Sequence, residues 1–206
     1  MKINELIGYK THPIYTTAKA LYDPNAVANA QGIDGRGRRL TQTAKFTKFL
    51  IDNGFKKLGA GSFGAAFEKP GYRWVFKIFA QDPAYLYYLK YAIQHQSNMN
   101  VPRIKGKIIK INESTYAVRM EKISMTTDKI DLALKFLQAT DHFDYDDETA
   151  EDIKFLRRFY PGVLTIITDM KKGPWPLDLN HTNIMARDRS TPVVLDPIYD
   201  PKGMDE

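Results

Sequence analysis

Three polar residues near the C-terminus have the spacing of a site for a metal ion and a proton transfer. Asp178 and Asn183 lie five residues apart, and Asp196 follows Asn183 by thirteen residues, at the end of the apolar run 193–195. Carboxylate and amide oxygens suit Mg²⁺, which keeps several water ligands in proteins. A carboxylate can also accept or orient a hydroxyl proton. The pattern predicts a hard cation at Asn183 and Asp196, and a proton-handling role for Asp178.

A β-hairpin is predicted between the two candidate metal ligands. Its arms are residues 184–186 and 193–195, and the polar residues 187–192 form the turn. Antiparallel arms place the residue before the first arm beside the residue after the second. The alternative is an Asx-turn loop and an ordinary strand-terminal aspartate, both of which are common. The joint spacing favours the site, because Asp, Asn and a later Asp form a known catalytic set.

A glycine-rich run, Gly-Ala-Gly-Ser-Phe-Gly, occupies residues 59–64. Small residues allow backbone N–H groups to approach phosphates closely. The residues after the run predict a strand and a turn rather than a helix, which excludes a dinucleotide-binding motif. An ordinary hairpin turn is the remaining alternative. The candidate phosphate contacts are Gly59, Gly61, Ser62, Phe63 and Gly64.

Lys77 is the charged residue within residues 75–79, a run that is otherwise apolar on both faces of its predicted strand. A lysine in such a place either extends its ammonium group to solvent or meets an anion. Because it follows a glycine-rich run by thirteen residues, we favour contact with the phosphates of a nucleotide.

The composition limits the possible classes of protein. The 206 residues are 43% apolar, which is enough for one globular unit or two small lobes. There is no apolar run long enough for a membrane span and no secretory h-region, so a cytoplasmic protein is expected. The absence of cysteine excludes disulfides and thiolate metal sites. The net charge of +6 is compatible with nucleotides, acidic proteins or nucleic acid, of which nucleic acid has the weakest support.

The periodicity changes along the chain and predicts an α+β protein. Residues 1–50 form a helical extension interrupted by prolines, and the last of its helices stops near Asn53-Gly54. Residues 51–121 are strand-rich, with one helix that opens at Asp82-Pro83 and reaches about Gln96. Residues 122–206 are mainly helical, with a break at Pro161-Gly162, and contain the final hairpin.

These motifs resemble those of protein kinases, and more closely those of the small early serine/threonine kinases of T-odd coliphages, the autographivirus group. The matching stretches are residues 58–67, the strand of Lys77, residues 178–185 and residues 195–197. The resemblance implies a minimal bilobal kinase-like fold, with an antiparallel-sheet N-lobe and a truncated, mainly helical C-lobe. It also implies ATP and Mg²⁺ as cofactors, host or phage proteins as substrates, and a location in the host cytoplasm or the virion.

The same resemblance assigns a role to each candidate residue. Lys77 would pair with the phosphates, Asp178 would be the catalytic aspartate, and Asn183 and Asp196 would bind Mg²⁺. The segment 120–123, which includes Glu121 and Ile123, would form the hinge beside adenine.

Several positions depart from the kinase pattern. Pro176-Leu177 stands where kinases have His-Arg, Asn180 replaces a lysine, and Pro197-Ile198 replaces Phe-Gly. No glutamate occurs between Asp82 and Asn112 to pair with Lys77, so Gln94 or Gln96 would have to substitute. The given sequence also ends ten residues after Asp196, which leaves no room in it for an activation segment.

These departures leave two alternatives to an active protein kinase. One is a pseudokinase, binding nucleotide or inert, that serves as an interaction or virion structural module. The other is a small-molecule phosphotransferase similar to the aminoglycoside kinases, which also use an Asp, an Asn and a later Asp. The sequence does not predict the oligomeric state.

Overall fold

The computed structural model describes residues 47, 50–60, 64–111, 114–123, 154–179, 182–188 and 190–201. Nearly all of the predicted extension 1–50, and residues 124–153 of the part predicted to be mainly helical, lie outside these residues. The described chain forms two compact units. The first contains the residues up to Gln81 together with Lys105–Met120. The second contains Asp82–Ile104 and the residues from Glu121 onwards.

A five-stranded sheet dominates the first unit, with the strand order β1-β2-β3-β5-β4. The pairs β1–β2, β2–β3 and β4–β5 are antiparallel, as the sequence predicted. The strands are β1 (Lys56–Ala60), β2 (Gly64–Glu68), β3 (Trp74–Ala80), β4 (Ile109–Lys110) and β5 (Thr115–Glu121).

One face of this sheet carries an aromatic and aliphatic core. Phe67 on β2 faces Phe76 on β3, and the ring of Phe55 meets the ring of Phe76 edge to face at a centroid distance of 5.5 Å. Leu50, in the helix before β1, is fully buried in the same cluster. Alternation along β3 therefore directs Lys77 to the opposite face from Phe76.

The helix before β1 ends where the sequence predicted. Gly54 has a φ of +82°, the left-handed conformation that glycine adopts without strain. The backbone N–H of Phe55 donates to the carbonyl of Leu50 at 2.9 Å, and that of Gly54 donates to Ile51 at 3.0 Å. These two bonds form a Schellman motif, which satisfies the last carbonyls of the helix and turns the chain into the sheet.

Helix α1 (Pro83–Gln94) follows β3 and begins, as predicted, at Asp82-Pro83. The Asp82 carboxylate caps the helix by accepting a hydrogen bond from the N–H of Tyr85 at 2.8 Å. Its buried stripe is formed by Ala84, Tyr85, Tyr88, Leu89 and Ala92. Ile93 lies outside this stripe and is exposed.

Helix α2 (Pro161–Lys171) begins on the predicted break at Pro161-Gly162. Residues 154–159 are also helical and precede it. Gly162 has a packing role, because a Cβ there would overlap with the side-chain oxygens of Asn98 and Asn100. The side-chain amide of Asn98 donates to the carbonyl of Gly162 at 2.9 Å. This hydrogen bond joins the segment after α1 to the start of α2.

The C-terminal hairpin consists of β6 (Ile184–Arg187) and β7 (Thr191–Val194). The turn is shorter than the sequence predicted, because Arg187, Thr191 and Pro192 pair within the strands. Asp188 occupies the turn with a φ of +51°, a conformation that aspartate tolerates better than most residues. Among the helices that the structure describes, none combines the length and apolar character needed to cross a bilayer.

Candidate active site

The hairpin places Asn183 and Asp196 at the same end. Ile184 pairs with Val194, so the residues just outside this pair face each other. The backbone N–H of Leu195 donates to the carbonyl of Asn183 at 2.7 Å, which extends the ladder by one step. Asp196 is the next residue along the chain. This is the proximity that the sequence predicted for the two candidate metal ligands.

Asp178 is held beside the same end by a short antiparallel contact. Its backbone N–H donates to the carbonyl of Pro197 at 2.7 Å, and Leu177 forms an isolated bridge with Ile198. The Asn183 amide also donates from Nδ2 to the backbone carbonyl and to Oδ2 of Asp178, each at 2.9 Å. The structure therefore brings Asp178, Asn183 and the strand end at Asp196 together.

The donor chemistry of this end fits a magnesium ion that also binds phosphate. Because Nδ2 of Asn183 is directed at Asp178, Oδ1 of the same amide is not the atom bonded to that residue. This oxygen and the carboxylate of Asp196 are the atoms that would hold the ion. No group of three or more His, Asp or Glu side chains within the described residues is arranged to hold a metal ion. Mg²⁺ in nucleotide sites is commonly bound by one or two carboxylates together with phosphate oxygens and water.

Lys77 lies in the first unit, where β3 pairs it with Ala66 of β2. Its neighbours Phe76 and Ile78 are buried, whereas Lys77 itself is partly exposed. The sequence therefore placed this lysine correctly on a strand of hydrophobic character, next to the strand that leaves the glycine-rich run. Gly61, Ser62 and Phe63, three of the predicted phosphate contacts, lie outside the described residues.

The two glycines that flank this loop differ in what surrounds them. A Cβ at Gly64 would overlap with the carbonyl oxygen of Ile78 on β3, so packing within the sheet requires glycine there. A Cβ at Gly59 would meet nothing within 4 Å. Among the described residues, no internal packing explains the glycine at position 59.

Gln96, one of the two candidate substitutes for the missing glutamate, is bonded to backbone groups around the turn after α1. Its Nε2 donates to the carbonyls of Ala92 at 2.7 Å and Pro102 at 3.0 Å, and its Oε1 accepts from the N–H of Ile104 at 3.1 Å. These bonds engage the whole amide in shaping the turn after α1. Gln94, the other candidate, is exposed.

Sequence reasoning missed two tyrosines of α1 that lie near the candidate metal site. Tyr88 donates its hydroxyl to the backbone carbonyl of Val194, two residues before Asp196. Burial raises the pKa of Tyr85 well above its ordinary value, and the negative charges of Asp196 and Asp82 raise it further. The i, i+3, i+4 spacing of Tyr85, Tyr88 and Leu89 is a signal of their shared burial.

Glu121, one of the two predicted hinge residues, is the last residue of β5. Its backbone N–H donates to the carbonyl of Arg103 at 2.9 Å, and its carboxylate accepts from the Arg103 N–H at 2.7 Å. It also forms an ion pair with Arg187, a residue that the sequence placed only in a turn. Ile123 is partly buried.

No family model and no curated protein sequence matches the chain. Among solved structures, similar chains include Rad53 residues 1–466 in complex with AMP-PNP and the kinase PK-1 of the Cydia pomonella granulovirus. The first is 19% identical with a TM-score of 0.39, and the match covers 74% of this chain and 42% of Rad53. The second is 14% identical with a TM-score of 0.41, and the match covers 75% of this chain and 57% of PK-1.

Both TM-scores lie below 0.5, so these similarities concern part of the chain path and say nothing of ligands or activity. The fold class follows from the described elements themselves. A glycine-rich segment between β1 and β2, a lysine on β3, a helix next and a later two-stranded hairpin follow the order that the kinase resemblance predicted. The predicted α+β class, with an antiparallel sheet in the first unit, is confirmed.

Proposed function

We propose that this chain is an ATP- and Mg²⁺-dependent phosphotransferase of the serine/threonine protein kinase type. The observation that carries the proposal is the double hydrogen bond from Asn183 to Asp178, beside the strand end that leads to Asp196. This arrangement holds one carboxylate with an amide beside the segment that carries a second carboxylate, which is the set of groups that phosphoryl transfer with Mg²⁺ requires.

The side chains divide the work of phosphoryl transfer, which depends on positioning and charge neutralisation. Mg²⁺, when bound at Asn183 and Asp196, would supply positive charge to the phosphates of ATP. Asp178 orients the hydroxyl of the substrate and accepts its proton, and the bond from Asn183 fixes the carboxylate for that task. Lys77 contributes a further positive charge for the phosphates. Host or phage proteins as substrates, and a phage origin, belong to the same proposal and rest on the sequence resemblance.

The test is transfer of labelled γ-phosphate from ATP to proteins of a bacterial lysate. Wild-type protein is compared with Asp178→Ala, Lys77→Ala and the control Asp188→Asn, in the exposed turn at the far end of the same hairpin. We expect labelled phosphoserine or phosphothreonine with wild type and control. Asp178→Ala should lower the rate by about 10²- to 10⁴-fold while ATP affinity changes little. Equal loss of rate and affinity would contradict the role of Asp178.

The pseudokinase alternative has one specific observation in its favour. Helix α1 contains no glutamate, the residue that pairs with the corresponding lysine in protein kinases, and Gln96 forms hydrogen bonds with backbone groups of its own unit. Binding of ATP without transfer would support a nucleotide-binding pseudokinase, and absence of binding would support an inert module. Label found only on small molecules of the lysate would support the third class, a small-molecule phosphotransferase.

A further inference from the structure

Arg187 connects three segments of the second unit that are far apart in sequence. Its Nε donates to Oε2 of Glu121 at 2.9 Å, and an N–H of its NH2 group donates to Oε1 of the same carboxylate. The remaining donors reach the carbonyls of Val101, at 3.1 Å, and Met99. The side chains of Arg187 and Glu121 are only 18% and 16% exposed, so this two-bond pair is largely removed from solvent.

Glu121 is held on its other side as well. Its backbone N–H and one carboxylate oxygen bond the backbone of Arg103, which fixes the main chain where β5 leaves the sheet. A guanidinium that forms a planar fork with a carboxylate restricts orientation as well as position. The backbone at Glu121 is therefore fixed by β6 and by the segment after α1 together.

Strand β6 also fixes the distance between Arg187 and Asn183. Arg187 is its last residue, and Asn183, the candidate metal ligand, immediately precedes its first. Four residues of antiparallel strand span about 13 Å at the rise of a β-strand. The strand is paired with β7 along its whole length, so this separation is rigid.

We propose that Arg187 is a positioning residue for nucleotide binding: through Glu121 it fixes the hinge backbone 121–123 at a set distance from the Mg²⁺ end of β6. The residue itself touches neither adenine nor phosphate. This inference rests on the proposed function, because it assigns adenine to the hinge and phosphate to the hairpin end. Removal of the fork lowers the affinity for the adenine part and leaves the phosphate chemistry intact.

The first experiment compares Arg187→Lys, Arg187→Met and Glu121→Gln with wild type, and uses Arg157→Met as the control for loss of an exposed arginine. Arg187→Lys keeps the positive charge but cannot form the two parallel hydrogen bonds with Glu121. It therefore provides a second variant for the comparison if Arg187→Met does not fold. We expect KM for ATP to rise about tenfold or more in each Arg187 variant, with kcat within about twofold of wild type. Adenosine affinity should fall by the same factor, and the Mg²⁺ dependence should not change.

A second measurement does not require nucleotide. Amide hydrogen exchange at Lys122 and Ile123 in the ligand-free protein should be faster in the Arg187 variants than in wild type and in Arg157→Met. Equal exchange, or a fall in kcat with KM unchanged, would overturn the positioning role. If wild type binds no adenine nucleotide, the proposed function fails together with the affinity part of this inference. The exchange result still decides whether Arg187 holds the hinge.

Discussion

The side chain of Asn183 has a hydrogen-bond donor and an acceptor that can bind different groups. Its Nδ2 donates twice to Asp178, and its Oδ1 is thereby directed elsewhere. Its backbone carbonyl closes the hairpin through the N–H of Leu195. An aspartate at this position would lack the donor and would place a second negative charge beside Asp178. An amide is therefore suited both to orient a carboxylate and, in the proposed function, to offer an oxygen to a cation.

Asp196→Ala should weaken Mg²⁺ binding at the proposed site, since it removes the charged ligand. We expect the Mg²⁺ concentration for half-maximal phosphate transfer, or for half-maximal ATP binding, to rise more than about tenfold. The measurement is a Mg²⁺ titration of both quantities. Asp188→Asn, which changes a carboxylate in the exposed turn of the same hairpin, is the matched control. A titration that is the same for Asp196→Ala and wild type would refute the assignment.

For individual residues, the sequence predicted which side chains lie close together better than it predicted which groups they bond. Asp178, Asn183 and Asp196 meet because hairpin geometry depends on local spacing, which the sequence displays. The ion pair of Arg187 with Glu121 joins residues 66 positions apart, and no local sequence pattern predicts such a pair. The commitment of Gln96 to backbone groups is equally invisible, because it depends on the path of the turn after α1.

Among the elements, the strands and α1 were predictable because two signals agreed for each. A dense run of aromatic and β-branched residues marked β3, and glycine or proline marked the ends of β2 and β3. Helix α1 had its cap and proline as well as its apolar stripe. Helix α2 begins on Pro161-Gly162, and the same dipeptide serves as a break and as a helix start. Proline suits the first helical position, so this signal has two meanings.

Gly64→Ala and Gly59→Ala should separate a packing glycine from a ligand-facing one. In Gly64→Ala the methyl group meets the Ile78 carbonyl, so the free energy of unfolding should fall by about 1–3 kcal/mol. Gly59→Ala has open space, so its unfolding free energy should change by less than about 0.5 kcal/mol while ATP affinity falls. Urea unfolding and ATP titration measure the two effects. Loss of stability in Gly59→Ala, or unchanged ATP affinity, would remove this glycine from the candidate phosphate loop.

In the molecule as a whole, α1 belongs to the same compact unit as the hairpin that carries the candidate metal ligands. Tyr88 donates to the carbonyl of Val194, and Asn100, just after the helix, accepts from the N–H of Val194 at 2.9 Å. Tyr85 and Tyr88 are both completely buried. The stability of this unit is therefore linked to the protonation of two phenols.

That link predicts a loss of stability at alkaline pH. Burial raises the pKa of both tyrosines well above their ordinary value, and the charge of Asp196 contributes to each shift. In the unfolded chain they ionise near pH 10, whereas in the folded protein they stay protonated, so the unfolded state loses protons first. The stabilisation is complete below about pH 10 and falls as the pH rises above it. The urea midpoint of unfolding, measured from about pH 8 to pH 12, should decrease accordingly.

Three phenylalanine variants distinguish this linkage from a general effect of lysine deprotonation. Tyr85→Phe and Tyr88→Phe remove one buried phenol each, so the urea midpoint should depend less on pH in both. Tyr88→Phe should also be less stable by about 1 kcal/mol at pH 8, because the carbonyl of Val194 loses its donor. Tyr87→Phe, on the exposed side of the same helix, should keep the wild-type pH dependence. If all three variants lose stability with pH as wild type does, the buried phenols are not the groups responsible.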